Sequence, residues 1–202
     1  MKLSIPTRDE DGKEEKSEKD DSLSIVFFGR LVSTKGIRYL IDAMAILAPE
    51  FPGLHLSIFG KGPLMNRIRL RVLNMGLQSR VRLFGFVSYE ELIRQINRAS
   101  IAVLPSLLEV GPFIAALEAM ACKKPLVLFD TPFSREFIRN MQNGVLAVAY
   151  DSEDLAAKIR LLLVNDKLRR KIGQDAYMYV KTHHDWRRIV DKYIEVYKKV
   201  AP

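Results

Sequence analysis

The chain has 202 residues, 48% of them apolar and 28% charged, with one cysteine, three histidines and a formal net charge of +8. One cysteine excludes an intrachain disulfide framework and a thiolate metal cage, three histidines leave little for a histidine-built metal site, and no apolar run approaches the roughly 18 residues of a membrane-spanning helix. The opening MKLSIPTRDE lacks the apolar stretch of a secretory signal, so the counts favour a cytoplasmic, metal-free protein with one folded domain.

Residues 1–22 hold five basic and eight acidic residues, and 9–21 contain no apolar residue at all. Such a segment cannot bury enough surface to offset its ordering entropy, so 1–22 is read as a charged flexible tail or linker remnant. Asp9-Glu10-Asp11 has the form of a metal-binding D-x-D, but no strand is there to aim it. The folded domain is expected over 23–202, which carries 27 basic against 16 acidic residues. That excess suggests an anionic partner, with a solvated basic face as the plainer alternative.

From residue 23 short apolar runs alternate with helical periodicity. Strands are expected at 24–29, 54–60, 81–87, 101–105, 125–130 and 145–150, and helices at 35–48, 64–75, 89–99, 113–122 and 133–141. Ser88 and Glu91 have capping-box spacing before the third helix. The region 152–200 reads as helical, with breaks near Asn165-Asp166 and at Thr182–Asp185. Six strands interleaved with helices predict an α/β, doubly wound, Rossmann-like parallel sheet covered on both faces.

Ligands in such sheets sit at the carboxyl ends of the strands. The residues there are Gly29 and Arg30, then Lys35-Gly36, Gly60-Lys61-Gly62-Pro63, Gly85-Phe86-Val87, and Pro105-Ser106 with Glu109, Gly111 and a helix start. Arginine offers a planar fork for phosphate oxygens, lysine a point charge, and a helix N-terminus free N–H groups. Together they form a cradle suited to a diphosphate. No G-x-G-x-x-G fingerprint or G-x-x-x-x-G-K-[ST] loop is present, which argues against an ordinary dinucleotide enzyme or P-loop ATPase.

The segments GRLVSTKG (29–36), IFGKGP (58–63), VRLFGFV (81–87), LPSLLEVGPFIAALEAMAC (104–122), KPLV (124–127), Asn143-Gly144 and Asp185-Trp186 carry a resemblance. Over about 23–200 the chain resembles the C-terminal, nucleotide-sugar-binding half of GT-B glycosyltransferases of family four, the retaining group 1 type. The resemblance implies that Arg30 and Lys35 neutralise the donor diphosphate and that Glu118 accepts hydrogen bonds from the ribose. It implies that Glu109 is placed by the donor sugar, that the backbone at Gly111, Phe113 and Ile114 holds phosphate, and that Phe86 and Val87 read the base. Gly29 and Gly62 belong to the loops of the same site. It further implies a metal-independent hexosyl transfer with no cofactor beyond the nucleotide sugar, and an acceptor-binding N-terminal half supplied in the same or another chain.

Three departures accompany it. Glu109 and Glu118 are separated by eight residues where the family has seven, and Asp130-Thr131-Pro132-Phe133 replaces a glycine-rich loop. The third is that a chain of 202 residues has room for the donor half alone, so the isolated domain is expected to be inactive. Two other readings stay open: a non-catalytic module that binds a protein or anionic surface, including peripheral contact with a membrane, and a nucleotide-sugar epimerase or hydrolase half. No nucleic-acid-reading motif is present. Cys122 reads as a small buried hydrophobe, His183 and His184 as helix-end residues, and Trp186 as packing for the terminal helix.

Overall fold

The computed structural model describes residues 23–108 and 113–200. The segment 1–22, Glu109 and Gly111 therefore lie outside the described residues. In chain order the elements are β1 (Ser24–Phe28), α1 (Ile37–Leu47), β2 (His55–Phe59), α2 (Met65–Asn74), β3 (Val81–Gly85), α3 (Tyr89–Arg98), β4 (Ile101–Val103), α4 (Ile114–Ala121), β5 (Leu126–Asp130), α5 (Pro132–Phe137) and β6 (Val145–Val148). Three helices follow: α6 (Ser152–Val164), α7 (Asp166–His183) and α8 (Trp186–Val200).

The six strands form one sheet in the order β3-β2-β1-β4-β5-β6, and every pairing is parallel. This is the doubly wound sheet expected from the alternation. Ile25 through Phe28 of β1 are 0–4% exposed, because helices cover both faces and a strand so placed must be apolar throughout. The spacing of Ile37, Leu40, Ile41, Met44 and Leu47 puts them on one buried side of α1. α1 packs against α2 and α6, and α4 against α7. Strand order reverses between β1 and β4, so the loops leaving these strands diverge and open a crevice at their carboxyl ends.

Element ends differ from expectation where a local conformation intervenes. The first helix begins at Ile37, because Gly36 is left-handed (φ 63°) and Ser33–Lys35 form a separate 3-10 turn. The third strand stops at Gly85 (φ 73°), and the sixth at Val148, two residues before left-handed Tyr150 (φ 66°). The fifth helix was expected to reach 141 but ends at Phe137. Asn143 captures the chain there: the Arg139 N–H donates to its Oδ1 at 2.7 Å, and its Nδ2 donates to the Phe137 carbonyl at 3.0 Å.

α5 starts on a reciprocal cap, in which the Ser134 N–H donates to Thr131 Oγ1 at 3.2 Å and the Thr131 N–H to Ser134 Oγ at 2.9 Å. Thr131→Ala is expected to cost about 1 kcal/mol and lower the melting temperature by about 2–4 °C for a domain of this size. An unshifted calorimetric melt would refute this role for the cap.

Trp186, read from the sequence as packing for the terminal helix, lies on the exposed side of α8. Trp186 is 63% exposed, and Tyr193, Tyr197 and Val200 are exposed as well. At 100° per residue these side chains, with Ile189, Val190, Ile194 and Val196, fall on one arc of about 160°, opposite Asp191 and Glu195. An amphipathic helix with its apolar side open to water is a surface for a partner.

Candidate functional site

Each of the first three strands ends in a glycine with positive φ: Gly29, Gly60 and Gly85. The strand ends are laced together. The Gly29 N–H donates to the Phe59 carbonyl (3.0 Å), the Gly60 N–H to Gly85 (2.7 Å) and the Leu31 N–H to Lys61 (3.0 Å). A Cβ on Gly60 would lie 1.9 Å from the Gly29 carbonyl oxygen, so only glycine permits this approach. A Cβ on Gly29 would meet nothing within 4 Å, which marks the open side of the loop.

That open side faces a cleft of about 390 Å³. One wall is Gly29, Arg30, Gly60, Lys61, Gly85, Phe86 and Val87, the other is Leu92 of α3 with Ala115 and Glu118 of α4, and Phe28 and Phe59 add apolar surface. The register between β2 and β3 shifts at Ile58/Phe59, pairing Phe59 with Gly85. Phe84, freed from that pairing, stacks on Phe59 with ring centroids 4.7 Å apart.

Of the two cations singled out in the sequence, Lys35 stands beside the start of α4 and Arg30 lines the cleft. Arg30 is exposed, lines the cleft with Ala115 and makes no ion pair among the described residues. The Lys35 ammonium lies 5.0 Å from the ring centroid of Phe113, the residue immediately before α4. Phe113 is buried and is braced by Phe133 and Phe137, with centroids 6.2 and 6.4 Å away. Phe133, part of the segment that stands where the family has a glycine-rich loop, thus supports the start of α4. No side chain among the described residues caps α4, and its first turn carries the free N–H groups and positive dipole end of a helix start, with Ile114 as its first residue. Lys35, Phe113 and Ile114 stand beside the cleft rather than in its lining. Gly62 is also outside the lining, and a Cβ there would lie 2.4 Å from the Leu31 carbonyl oxygen.

Glu118 lies one turn into α4, buried at 7% exposure. Burial raises its pKa, and the neighbouring Tyr89 hydroxyl partly opposes that rise. The Tyr89 phenol is itself pushed up by burial and by the Glu118 charge. The polar group beside this carboxylate is thus a phenol at the first position of α3, and Glu118 makes no salt bridge among the described residues. Folding places Glu118 where its carboxyl binds a proton more tightly than in the unfolded chain. Its contribution to stability is therefore fully present below the ordinary value of 4.5 and is lost as pH rises through the raised folded value. Glu118→Gln is expected to flatten this dependence, becoming more stable relative to the parent as pH rises. Identical pH profiles in denaturant melts would disprove it. Cys122, one turn further, has its thiol pushed up to about 11 by burial, which fits its reading as a hydrophobe.

Phe86 is 76% exposed at the mouth of the cleft. Lys61 was named in the sequence with the loop after β2 but given no role, and Tyr89 and Leu92 complete the site without having been chosen there. Tyr89 could have been found from its place after the N-cap Ser88. His183 and His184 sit at the end of α7, with the His183 ring nitrogen 3.0 Å from the Tyr179 carbonyl. Among the described residues no three His, Cys, Asp or Glu side chains gather as a metal site. No described helix is long and apolar enough to cross a membrane.

A model of the family described as "Glycosyl transferases group 1" matches residues 8–179. An uncharacterized glycosyltransferase of Methanocaldococcus jannaschii is 32% identical over 180 residues, covering 89% of this chain and 45% of that protein. The C-terminal domain of a glycosyl transferase group 1 family protein of Francisella tularensis has a similar structure, with TM-score 0.74 and 27% identity, covering 81% of this chain and 87% of that one. An Anabaena protein solved with UDP-glucose shares the fold at TM-score 0.81 and 21% identity, covering 89% of this chain and 50% of its own. The chain spans less than half the length of the curated relatives it matches.

Proposed function

Because this chain belongs to the group 1 glycosyltransferases, we propose that its cleft binds the nucleoside-diphosphate sugar from which such an enzyme transfers a hexose with retention of configuration. The observation that carries this reading is the meeting of Arg30, Glu118 and the uncapped first turn of α4 around one cleft at the carboxyl ends of β1, β2 and β3. In the proposed reaction the bond between the anomeric carbon and the diphosphate oxygen breaks, the departing diphosphate takes up the electron pair, the anomeric carbon bonds to the acceptor hydroxyl oxygen on the same face, and that hydroxyl's proton passes to the departing diphosphate. Arg30, Lys35 and the α4 dipole stabilise that developing charge without a metal or other cofactor, an arrangement fixed before reaction and therefore effective. Glu118 accepts hydrogen bonds from the ribose hydroxyls, and Glu109 and Gly111 serve the sugar and phosphate.

The acceptor is assigned to a second domain, in the same or another chain, seated on the apolar side of α8. The exposed arc of that helix and the greater length of the relatives support this. Without it the isolated domain binds donor and transfers nothing. Isothermal titration of the chain with UDP and GDP tests the core of the proposal. Saturable one-to-one binding is expected for at least one of them, and no binding of any nucleoside diphosphate would refute it.

A further inference from the structure

From Phe51 to Tyr89 the chain holds six Lys or Arg side chains and no Asp or Glu. The helix in the middle of that stretch, α2, stands at the end of its layer: β3 is an edge strand, and α2 packs sideways on α1. Ile68 and Val72 form its buried side. At 100° per residue Leu70 stands about 160° from both of them, where a surface helix ordinarily carries polar residues. Leu70 is nonetheless a leucine and 58% exposed, and Leu73, about 60° round the helix, is 54% exposed. Arg69 and Arg67 flank the two leucines on either side, both exposed and without an ion pair among the described residues. Arg71, by contrast, is turned to α1 and held by both carboxylate oxygens of Asp42 at 2.7 Å.

We propose that the outer side of α2 is a seat for an anionic lipid surface, with Leu70 and Leu73 entering the headgroup region and Arg67 and Arg69 bound to lipid phosphates. A helix of 10 residues is about 15 Å long, too short to span a bilayer but able to lie along it. An apolar strip between arginines suits that interface, because each guanidinium reaches a headgroup phosphate while its aliphatic stem stays with the leucines. A nucleic-acid strand would satisfy the arginines but leave the leucines in water, and α2 has no aromatic residue on which a base could stack. A second copy of the chain would set arginine against arginine. The seat does not depend on what the cleft binds, yet it lies next to it. The Leu64 N–H donates to the Leu31 carbonyl at 3.1 Å, so α2 starts at the rim of the cleft, and a bilayer along α2 holds that rim close to the headgroups.

The test is flotation of the chain with phosphatidylcholine vesicles, with and without phosphatidylglycerol, for the parent and for two double variants, Arg67→Gln/Arg69→Gln and Leu70→Gln/Leu73→Gln. All four positions are exposed, so both variants should melt with the parent. The parent is expected to bind vesicles that contain phosphatidylglycerol about tenfold or more tightly than pure phosphatidylcholine. Each arginine contributes about fivefold on an anionic leaflet, so the arginine variant should bind about 25-fold more weakly. The leucine variant should lose about tenfold, since each leucine has about half its surface left to bury. Parent-like binding by either variant overturns the proposal, and a blue-shifted Trp186 emission in that case would put the contact on α8. A parent that binds neither vesicle overturns it too. So does a parent that binds a single-stranded polynucleotide more tightly than the anionic vesicles, with the leucine variant unaffected. Titrations with UDP and GDP should be the same in all three proteins, so failure of the lipid seat leaves the reading of the cleft standing.

Discussion

Replacing both Arg30 and Lys35 by alanine is expected to abolish nucleoside-diphosphate binding at concentrations that saturate the parent. Each cation contributes a charge-assisted hydrogen bond to phosphate, worth about 1.5–3 kcal/mol. Losing both removes about 3–6 kcal/mol, a hundredfold or more in dissociation constant. The single Arg30→Ala variant isolates the electrostatic effect from the fold, since Arg30 is exposed and a surface substitution of this kind shifts stability by about 0.5 kcal/mol or less. Parent binding should also weaken as salt is raised, and the double variant should lose that sensitivity. Titration of both variants at two salt concentrations decides the matter. Parent-like affinity in the double variant would remove Arg30 and Lys35 from the site.

Gly36→Ala is expected to be the most damaging small substitution in the β1–α1 loop. Gly36 holds φ 63°, ψ 14° between the 3-10 turn and α1, and an added Cβ would lie 2.0 Å from the Pro105 carbonyl oxygen and 3.4 Å from the Phe129 ring. The left-handed conformation costs an alanine about 1 kcal/mol, and forcing the backbone of the β4–α4 connection aside adds about 1–3 kcal/mol. The sum, about 2–4 kcal/mol, corresponds to a melting temperature lower by roughly 5–15 °C. Because Arg30 and Lys35 lie on the same loop, nucleotide affinity should fall with stability. A variant that melts within about 2 °C of the parent would show that the backbone yields at little cost.

The repeating architecture was legible in the sequence because parallel strands buried on both faces leave uninterrupted apolar runs, such as Ile25–Phe28, and helices leave the spacing seen from Ile37 to Leu47. Element ends were less legible. Gly36 breaks no apolar period, yet its left-handed backbone delays α1 to Ile37. Asn143 ends α5 from six residues away by bonding to Phe137. In the site, Arg30, Glu118, Phe86 and Val87 line one cleft. Tyr89 was missed because its pairing with Glu118 joins α3 to α4, a contact between separate elements that no local pattern records. Lys61 was placed at the strand ends by the sequence, but its direction across Gly85 follows only from the fold. Trp186 was read as packing for the terminal helix, but which surface that packing uses is not recorded in the helix's own sequence, and the structure leaves it uncovered.

The exposure of Trp186 has a spectroscopic consequence. It is the only indole in the chain, and it stands at the junction of α7 and α8 rather than in the sheet or the cleft. Fluorescence excited selectively at that chromophore should therefore begin close to its fully hydrated wavelength and move little while β1 through β6 lose their order. Circular dichroism will see that transition. A protein that covers α8 will instead dehydrate the indole and drive its emission to the blue, so the same quiet signal becomes a direct optical readout of docking.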